Sequence, residues 1–165
     1  MLLYETHAPP LAIEACRRVL DQAALRGDAI ESEACRLSAE PAGGQSSKLD
    51  PSSITHLVTV SCTGFAAPGL DWQLFDALGL SNEVRRVHVG FMGCHGAING
   101  LRTARGLVAA DPEAVVLVCA VELCSLHYRM DWDDEAMVGN ALFADGAAAL
   151  VVVGDQKGRV GFGKG

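Results

Sequence analysis

A run of small and β-branched apolar residues at positions 114–120, Ala-Val-Val-Leu-Val-Cys-Ala, constrains the fold more than any other feature of the sequence. A strand with no polar residue on either face must be covered on both faces, which is typical of sheets flanked by helices. Further apolar segments at 54–60, 84–89 and 147–153 also predict strands. The core of the fold is therefore expected to be a buried sheet.

The segments between these strands have the spacing of helices. An apolar stripe predicts a helix over Pro9–Leu25, and further helices are predicted from Pro68 to about Leu78 and over Gly96–Ala110. A short helix is indicated around residues 30–37, and residues 41–53 have the composition of a linker. Because strands and helices alternate, the fold class is predicted to be α/β, without an internal repeat.

Charge and hydropathy exclude several classes of protein. The 165 residues suffice for one domain with a buried core. A net charge of −7 with only three lysines argues against nucleic acid as a partner, because phosphate binding needs a clustered basic surface. No apolar run approaches the ~18 residues of a membrane span, and the N-terminus lacks the pattern of a signal peptide. The sequence therefore predicts a cytoplasmic protein without a membrane partner.

The six cysteines and five histidines do not form a recognisable metal or disulfide pattern. No C-x-x-C pair occurs, so reduced thiols are expected and a structural zinc site is not. An acidic run contains Asp131, Asp133, Asp134 and Glu135, and is interpreted as a solvated loop rather than as a metal site.

The segment Gly90–Ala97 places Cys94 in a glycine-rich turn between a predicted strand and a predicted helix. Glycine permits a sharp turn and leaves room beside the sulfur. A helix N-terminus stabilises a thiolate, by about 0.3–1 kcal/mol at an exposed site, so a working nucleophile also needs a partner. His95 is not predicted as that partner, because adjacent residues on a helix do not face each other. These residues alone fit a structural cysteine as well as a catalytic one.

Four segments occur in the following order: Ser-Cys-Thr-Gly-Phe-Ala-Ala-Pro-Gly-Leu-Asp at 61–71, Gly-Cys-His-Gly at 93–96, Val-Glu-Leu-Cys-Ser-Leu-His at 121–127 and Gly-Asn-Ala-Leu-Phe-Ala-Asp-Gly-Ala-Ala-Ala at 139–149. Together they resemble the type III polyketide synthases, the chalcone and stilbene synthase family, and its bacterial branch in particular. The resemblance implies the N-terminal half of a thiolase-like layered fold, with a mixed sheet of βαβαβ type covered by helices.

The resemblance also implies an activity. Members of this family are acyltransferases that load an acyl group from an acyl-CoA starter onto a cysteine. They then extend it by decarboxylative Claisen condensation with malonyl-CoA, which makes polyketides. The CoA thioesters are substrates, and no cofactor is expected. Cys94 matches the nucleophile, and Phe143 matches the gatekeeper between the CoA tunnel and the cavity. Asp145 lies in a structural turn of the family. The family's cavity-lining positions correspond to Cys62, Thr63, Ala67, Cys124, His127 and Gly139.

The resemblance covers only part of such an enzyme. The family's catalytic His and Asn belong to its C-terminal half, and none of the five histidines matches that His. The basic residues that hold CoA phosphates belong upstream of Met1. Residues 1–154 are therefore predicted to be an N-terminal half that contains a linker-like insertion at 26–53, followed by a tail at 155–165. The partner is expected to be a second copy, as a homodimer, or a complementing C-terminal half. The chain alone is expected not to turn over acyl-CoA and malonyl-CoA.

Two other functions stay open. The first is a non-catalytic half-domain, or a relic, that only mediates protein association. The second is a cysteine hydrolase that uses Cys94, which ranks lower because the sequence shows no suitable His–Asn pair.

Overall fold

A mixed sheet forms the centre of the structure, a computed structural model that describes residues 2–22, 48–130 and 133–154. Among these residues the strands are β1 (His56–Ser61), β2 (Arg85–Gly90), β3 (Val115–Glu122) and β4 (Gly146–Val153), in the spatial order β2-β1-β3-β4. β1 pairs in parallel with β2 and with β3, whereas β4 runs antiparallel to β3. The predicted α/β class and mixed sheet are confirmed.

Helices cover both faces of this sheet. α1 (Leu2–Gln22) and α2 (Leu70–Leu78) pack on one face, and α3 (Gly96–Ala110) packs on the other. A fourth helix, α4 (Asp134–Leu142), lies between β3 and β4 in the chain and has Ala136 as its buried residue. No helix in the described ranges is long and apolar enough to cross a membrane.

The two faces of the sheet take alternate residues of the buried strands, as strand geometry requires. Leu57 and Leu117 pack in the core that also contains residues of α1 and α2. Val58 and Val116 pack in a second core with Ala104 of α3. This arrangement explains why the central strands carry apolar residues without alternation.

The N-terminal helix differs from the prediction. It includes residues from Leu2 onward, whereas the sequence predicts a start at Pro9, and both Pro9 and Pro10 lie inside it. Proline is tolerated best in the first helical turn, so these residues suggest a start that the structure does not have. Tyr4 and Ala8 extend the buried stripe towards the N-terminus, and their packing outweighs the cost of the prolines. The predicted end at Leu25 and the predicted helix around 30–37 lie outside the described residues.

The acidic run is also corrected by the structure. Its described part starts α4 and is not a loop. Asp133 is the N-cap, and its carboxylate accepts the N–H of Ala136 at 2.8 Å. Asp134 and Glu135 lie in the first turn, where a carboxylate interacts favourably with the helix dipole. Within the predicted linker, Pro51–Ser53 forms a 3₁₀ turn, and residues 41–47 lie outside the described part of the chain.

α3 lies unusually close to β1 because small residues face the strand. Gly96, Gly100 and Ala104 follow each other at helical spacing on the buried side. A Cβ atom added to Gly100 would lie 2.7 Å from a methyl group of Val60, which is closer than carbon atoms can approach without displacement. This close approach brings the first turn of α3 against the end of β1.

We expect Gly100→Ala to destabilise the fold by about 1–3 kcal/mol of overpacking, partly offset by the better helix propensity of alanine. Gly106→Ala is the matched control in the same helix, since nothing lies within 4 Å of its added Cβ, and it should stabilise the fold by about 0.5–1 kcal/mol. Urea unfolding measures both free energies. A Gly100→Ala variant as stable as Gly106→Ala would contradict the close packing.

Candidate functional site

Cys94 lies in a sharp turn between β2 and α3. β2 ends at Gly90, the 3₁₀ turn Gly93–His95 follows, and α3 begins at Gly96. Phe91 and Gly93 have φ angles of +56° and +64°, a region that few residues other than glycine adopt and that reverses the chain here. The Cys94 side chain is exposed. The structure thus places Cys94 directly before a helix, as the sequence predicts.

The turn is joined to the end of β1 by hydrogen bonds. The Phe91 N–H donates to the Ser61 carbonyl at 3.3 Å. The Cys62 sulfur accepts the Gly93 N–H at 3.0 Å, and its thiol donates to the Gly93 carbonyl at 3.6 Å. The Cys62 side chain therefore contacts the backbone of Gly93, the residue before Cys94. Among the described residues, the Cys94 sulfur itself has no hydrogen-bond partner.

Glu122, at the end of β3, binds the segment that follows β1. Its carboxylate accepts the N–H of Cys62 at 2.9 and 3.0 Å, and the N–H of Thr63 at 3.0 Å. It also accepts the Thr63 hydroxyl at 2.7 Å. The Thr63 oxygen in turn accepts the N–H of Leu123 at 2.8 Å, which closes a ring between the two strand ends.

An open cleft of about 690 Å³ lies beside these strand ends. Of the residues predicted to line the family's cavity or guard its entrance, it brings together Thr63, Cys124, His127, Gly139 and Phe143. His127 is fixed at this position because its Nε2 donates to the Thr63 carbonyl at 2.6 Å. Phe143 follows the last residue of α4, and its ring is exposed.

Three predicted site residues do not line this cleft. Cys62 lines a second cleft of about 430 Å³, which adjoins the first because Thr63 and His127 line both. Ala67 lies outside both clefts, exposed, before a cis bond to Pro68. Cys94 also lies outside both, on the neighbouring turn.

The titratable groups Cys124 and Asp145 of the cleft have shifted pKa values. Burial raises the pKa of Cys124, and the charges of Glu122, Asp145 and Cys94 raise it further. The turn of Cys94 borders the second cleft, because Phe91 of that turn lines it. Hydrogen bonds from the hydroxyl and the N–H of Ser125, at 2.6 and 2.8 Å, lower the pKa of Asp145.

Asp145 and Asn140 hold the walls of the cleft in place. Asp145, just before β4, fixes the Cys124–His127 turn through Ser125. Asn140 of α4 donates to the Arg129 carbonyl at 2.6 Å and accepts the Arg129 N–H at 3.2 Å. No group of three or more His, Cys, Asp or Glu side chains in the described ranges could hold a metal ion.

Solvent access distinguishes the cysteines. Cys94 is exposed, Cys62 and Cys124 are half-buried, and Cys16 and Cys119 are buried. A hydrogen bond with Cys119, together with burial, raises the pKa of Cys16. Cys94 is therefore the described thiol with the best access for a substrate, and the cleft beside it offers room for an acyl chain.

The predictions from sequence include Cys94 and five residues that line the cleft, but they assign no role to Glu122. The available signal is positional: Glu122 ends a buried strand that is parallel to β1, so it lies at the same edge of the sheet as Cys62. The partners of Glu122 are mainly backbone N–H groups, which leave no pattern of side chains in the sequence.

Comparison with known proteins identifies relatives for most of the chain. Residues 14–156 match the family described as chalcone and stilbene synthases, N-terminal domain. The chain is 38% identical over 156 residues to the α-pyrone synthesis polyketide synthase-like Pks18 of Mycobacterium tuberculosis, which covers 94% of this chain and 34% of Pks18. It is also 38% identical over 137 residues to the 1,3,6,8-tetrahydroxynaphthalene synthase of Streptomyces peucetius, covering 83% of this chain and 35% of that enzyme.

A solved structure shows the same fold. The C-terminal type III polyketide synthase domain of Steely1 from Dictyostelium superposes with a TM-score of 0.73 at 33% identity, over 92% of this chain and 35% of that one. The chain thus spans about a third of the length of these relatives.

Proposed function

Because the chain belongs to the chalcone and stilbene synthase family of type III polyketide synthases and matches the N-terminal domain of that family, we propose that it carries the nucleophile of an acyltransferase of that kind. Cys94 is the acyl acceptor, and the adjoining cleft holds the acyl chain. One observation carries the proposal: five residues that the resemblance assigns to the cavity or its gate line one cleft, and the adjoining cleft is lined by Cys62, which contacts the turn of Cys94.

The proposed reaction has two stages. The Cys94 thiolate attacks the carbonyl carbon of an acyl-CoA, a new C–S bond forms, and the CoA thiolate leaves. Malonyl-CoA then loses CO₂, and the resulting enolate carbon attacks the Cys94 thioester, which releases the Cys94 thiolate and lengthens the chain by two carbons. Charge develops on oxygen in both stages, so fixed donors must stabilise it. The resemblance assigns this role to the His and Asn of the family's C-terminal half.

The dimensions of the cleft support an acyl chain as ligand. Its volume of about 690 Å³ falls in the range of roughly 300–1,000 Å³ typical of small-molecule sites. Its lining combines the apolar surfaces of Ala136, Phe143 and Ala144 with the polar groups of Ser125 and His127. A reactive keto chain would there be partly shielded from water.

Acyl loading tests the proposal. We expect that incubation of the 165-residue protein with an acyl-CoA starter adds the mass of the acyl group to the peptide that contains Cys94, because that thiol is exposed beside the cleft. Peptide mass mapping measures the adduct, and treatment with hydroxylamine should remove it as it removes other thioesters. No adduct, or an adduct on Cys62 or Cys124 instead, would contradict the assignment of Cys94.

Exposed apolar side chains favour a second candidate, a half-domain that associates with another polypeptide. On α3 and α4 and just after α4 they are Ile98, Leu101, Met137, Val138, Leu142 and Phe143. Apolar surface of this kind is typical of interaction sites. A second copy, as a homodimer, or a complementing C-terminal half would cover it. Self-association in light scattering without any acyl adduct would favour this candidate over the acyltransferase.

A further inference from the structure

We propose that Glu122 is a positioning residue for the nucleophile. Its carboxylate fixes the backbone after β1 and thereby the position of the Cys62 thiol. That thiol in turn contacts the turn that carries Cys94. The inference rests on the proposed role of Cys94 as acyl acceptor. Under this proposal Cys62 supports the turn of Cys94 in addition to lining a cleft, and Glu122 supports the reaction by holding Cys62 in place.

The first step is the contact between Glu122 and the end of β1. In the parallel register Val60 lies opposite Ala120, and Cys62 and Glu122 are two residues beyond that pair. The N–H groups of Cys62 and Thr63 therefore have no ladder partner and turn to the carboxylate, at 2.9–3.0 Å. Hydrogen bonds to a charged acceptor are about twice as strong as neutral ones, so these bonds hold the segment firmly.

The second step is the contact between Cys62 and the turn. The Cys62 sulfur lies 3.0 Å from the Gly93 nitrogen and 3.6 Å from the Gly93 oxygen, so it touches both peptide groups that flank this glycine. One of these groups is the peptide bond to Cys94. A thiol is a weak hydrogen-bonding group, so it can orient the turn only if its own backbone is fixed. Glu122 supplies that fixation.

The third step concerns the position of Cys94 relative to the start of α3. The turn ends at Gly96, whose added Cβ would lie 3.0 Å from Val60 and 3.8 Å from the Cys62 sulfur. The first turn of α3 is thus packed against the same segment that Glu122 fixes. A shift of this segment would move Cys94 relative to the N-terminus of α3. The thiolate would then lose the stabilisation that a helix N-terminus provides.

The charge of Glu122 allows positioning to be distinguished from direct electrostatics by the direction in which the alkylation rate changes. Cys62 contacts the turn that carries Cys94, His95 follows Cys94 in the chain, and Cys124 interacts with Cys94 electrostatically. Glu122 and Asp145 act on Cys124. If Glu122 acted on Cys94 only through its charge, removal of that charge would favour the thiolate and accelerate alkylation. If Glu122 acts by positioning, its removal slows alkylation and moves the profile to higher pH. The two roles predict opposite effects.

The test measures the rate of iodoacetamide labelling of Cys94 by peptide mass mapping. The 165-residue chain is labelled from about pH 6 to about pH 10, on both sides of the ordinary thiol pKa of ~8.5. We expect Glu122→Gln and Cys62→Ala each to lower the rate at neutral pH by about 2–5-fold, the thiolate stabilisation of a helix N-terminus expressed as a rate. The double variant should show no further loss, because both residues act along one path.

Conservative variants separate positioning from folding. Cys62→Ser keeps an acceptor for the Gly93 N–H, so it should retain most of the rate that Cys62→Ala loses. Glu14→Gln is the matched control, since Glu14 is an exposed residue of α1 whose ion-pair partner among the described residues is Arg18, and it should leave the profile unchanged. Unfolding midpoints show that each variant is folded. If Glu122→Gln does not fold, the comparison of Cys62→Ser with Cys62→Ala decides.

Specific results overturn the proposal. An unchanged or faster labelling rate in folded Glu122→Gln would do so, as would equal rates for Cys62→Ser and Cys62→Ala. Fully additive losses in the double variant would show two independent effects. The readout does not require acyl transfer, so a chain that shows these labelling effects but forms no acyl adduct would refute the proposed function and leave the positioning role standing.

Discussion

Replacing Cys94 by alanine is expected to abolish transfer of the acyl group from acyl-CoA to the protein. The substitution removes the sulfur atom that bonds to the acyl carbon in the proposed reaction. Without this sulfur the protein cannot displace the CoA thiolate, so release of CoA should fall to the level of spontaneous hydrolysis. The release rate is measured with a thiol-reactive dye, and the adduct by intact mass.

Cys35→Ser is a suitable control, because it removes a cysteine that the resemblance does not assign to the site. It should retain the adduct. Cys94→Ser tests the chemistry more closely, since a hydroxyl occupies the same place but is far less ionised at neutral pH. An adduct of unchanged yield in Cys94→Ala would place the acyl acceptor elsewhere in the chain.

Replacing Leu117 by alanine is expected to destabilise the fold by about 2–5 kcal/mol. Leu117 lies in the middle of β3 with 0% of its surface exposed, in the core shared with α1 and α2. The loss combines the lower apolar burial with the cost of the cavity that remains. Because domains are stable by only about 5–15 kcal/mol, the variant should unfold at a much lower urea concentration.

Leu11→Ala makes the same chemical change on the solvent side of α1, where Leu11 is 41% exposed. We expect a change of no more than about 0.5 kcal/mol there, as for most surface substitutions. Urea unfolding of both variants gives the comparison. Equal losses at the two positions would contradict the placement of β3 at the centre of the core.

Continuous apolar runs explain which elements could be predicted. β1, β2, β3 and β4 lie within one or two residues of their predicted bounds, and α3 has the predicted bounds Gly96–Ala110. A run such as Ala147–Val153 does not encode strand direction, however. The antiparallel placement of β4 at the edge of the sheet therefore comes from the structure.

The helices that were missed or misplaced lack a clear signal. In α4 only Ala136 is buried, while Met137, Val138 and Leu142 are exposed, so no apolar stripe reveals the helix. α1 has its stripe, but the paired prolines inside it suggest a later start.

The site shows the same division between side-chain patterns and backbone contacts. The place of Cys94 could be predicted because glycines in its turn mark the change from strand to helix. The carboxylate of Glu122 could not be placed from sequence, since its hydrogen bonds to N–H groups depend on the register of β1 and β3. The separation of Cys62 and Ala67 from the main cleft likewise follows from the path of the chain after β1.

The packing of α1 also has a consequence for synthesis on the ribosome. The buried face of α1 completes a core with β3, and Val115 follows Gln22 by more than ninety residues. At about 5–20 residues per second, α1 leaves the ribosome roughly 5–20 s before the strand that it packs against. During that interval β1 and α2 have emerged but the central strand of the core has not. The buried face of α1 is therefore incompletely covered, and Tyr4, Ala8 and Leu20 stay accessible to chaperones and to other nascent chains.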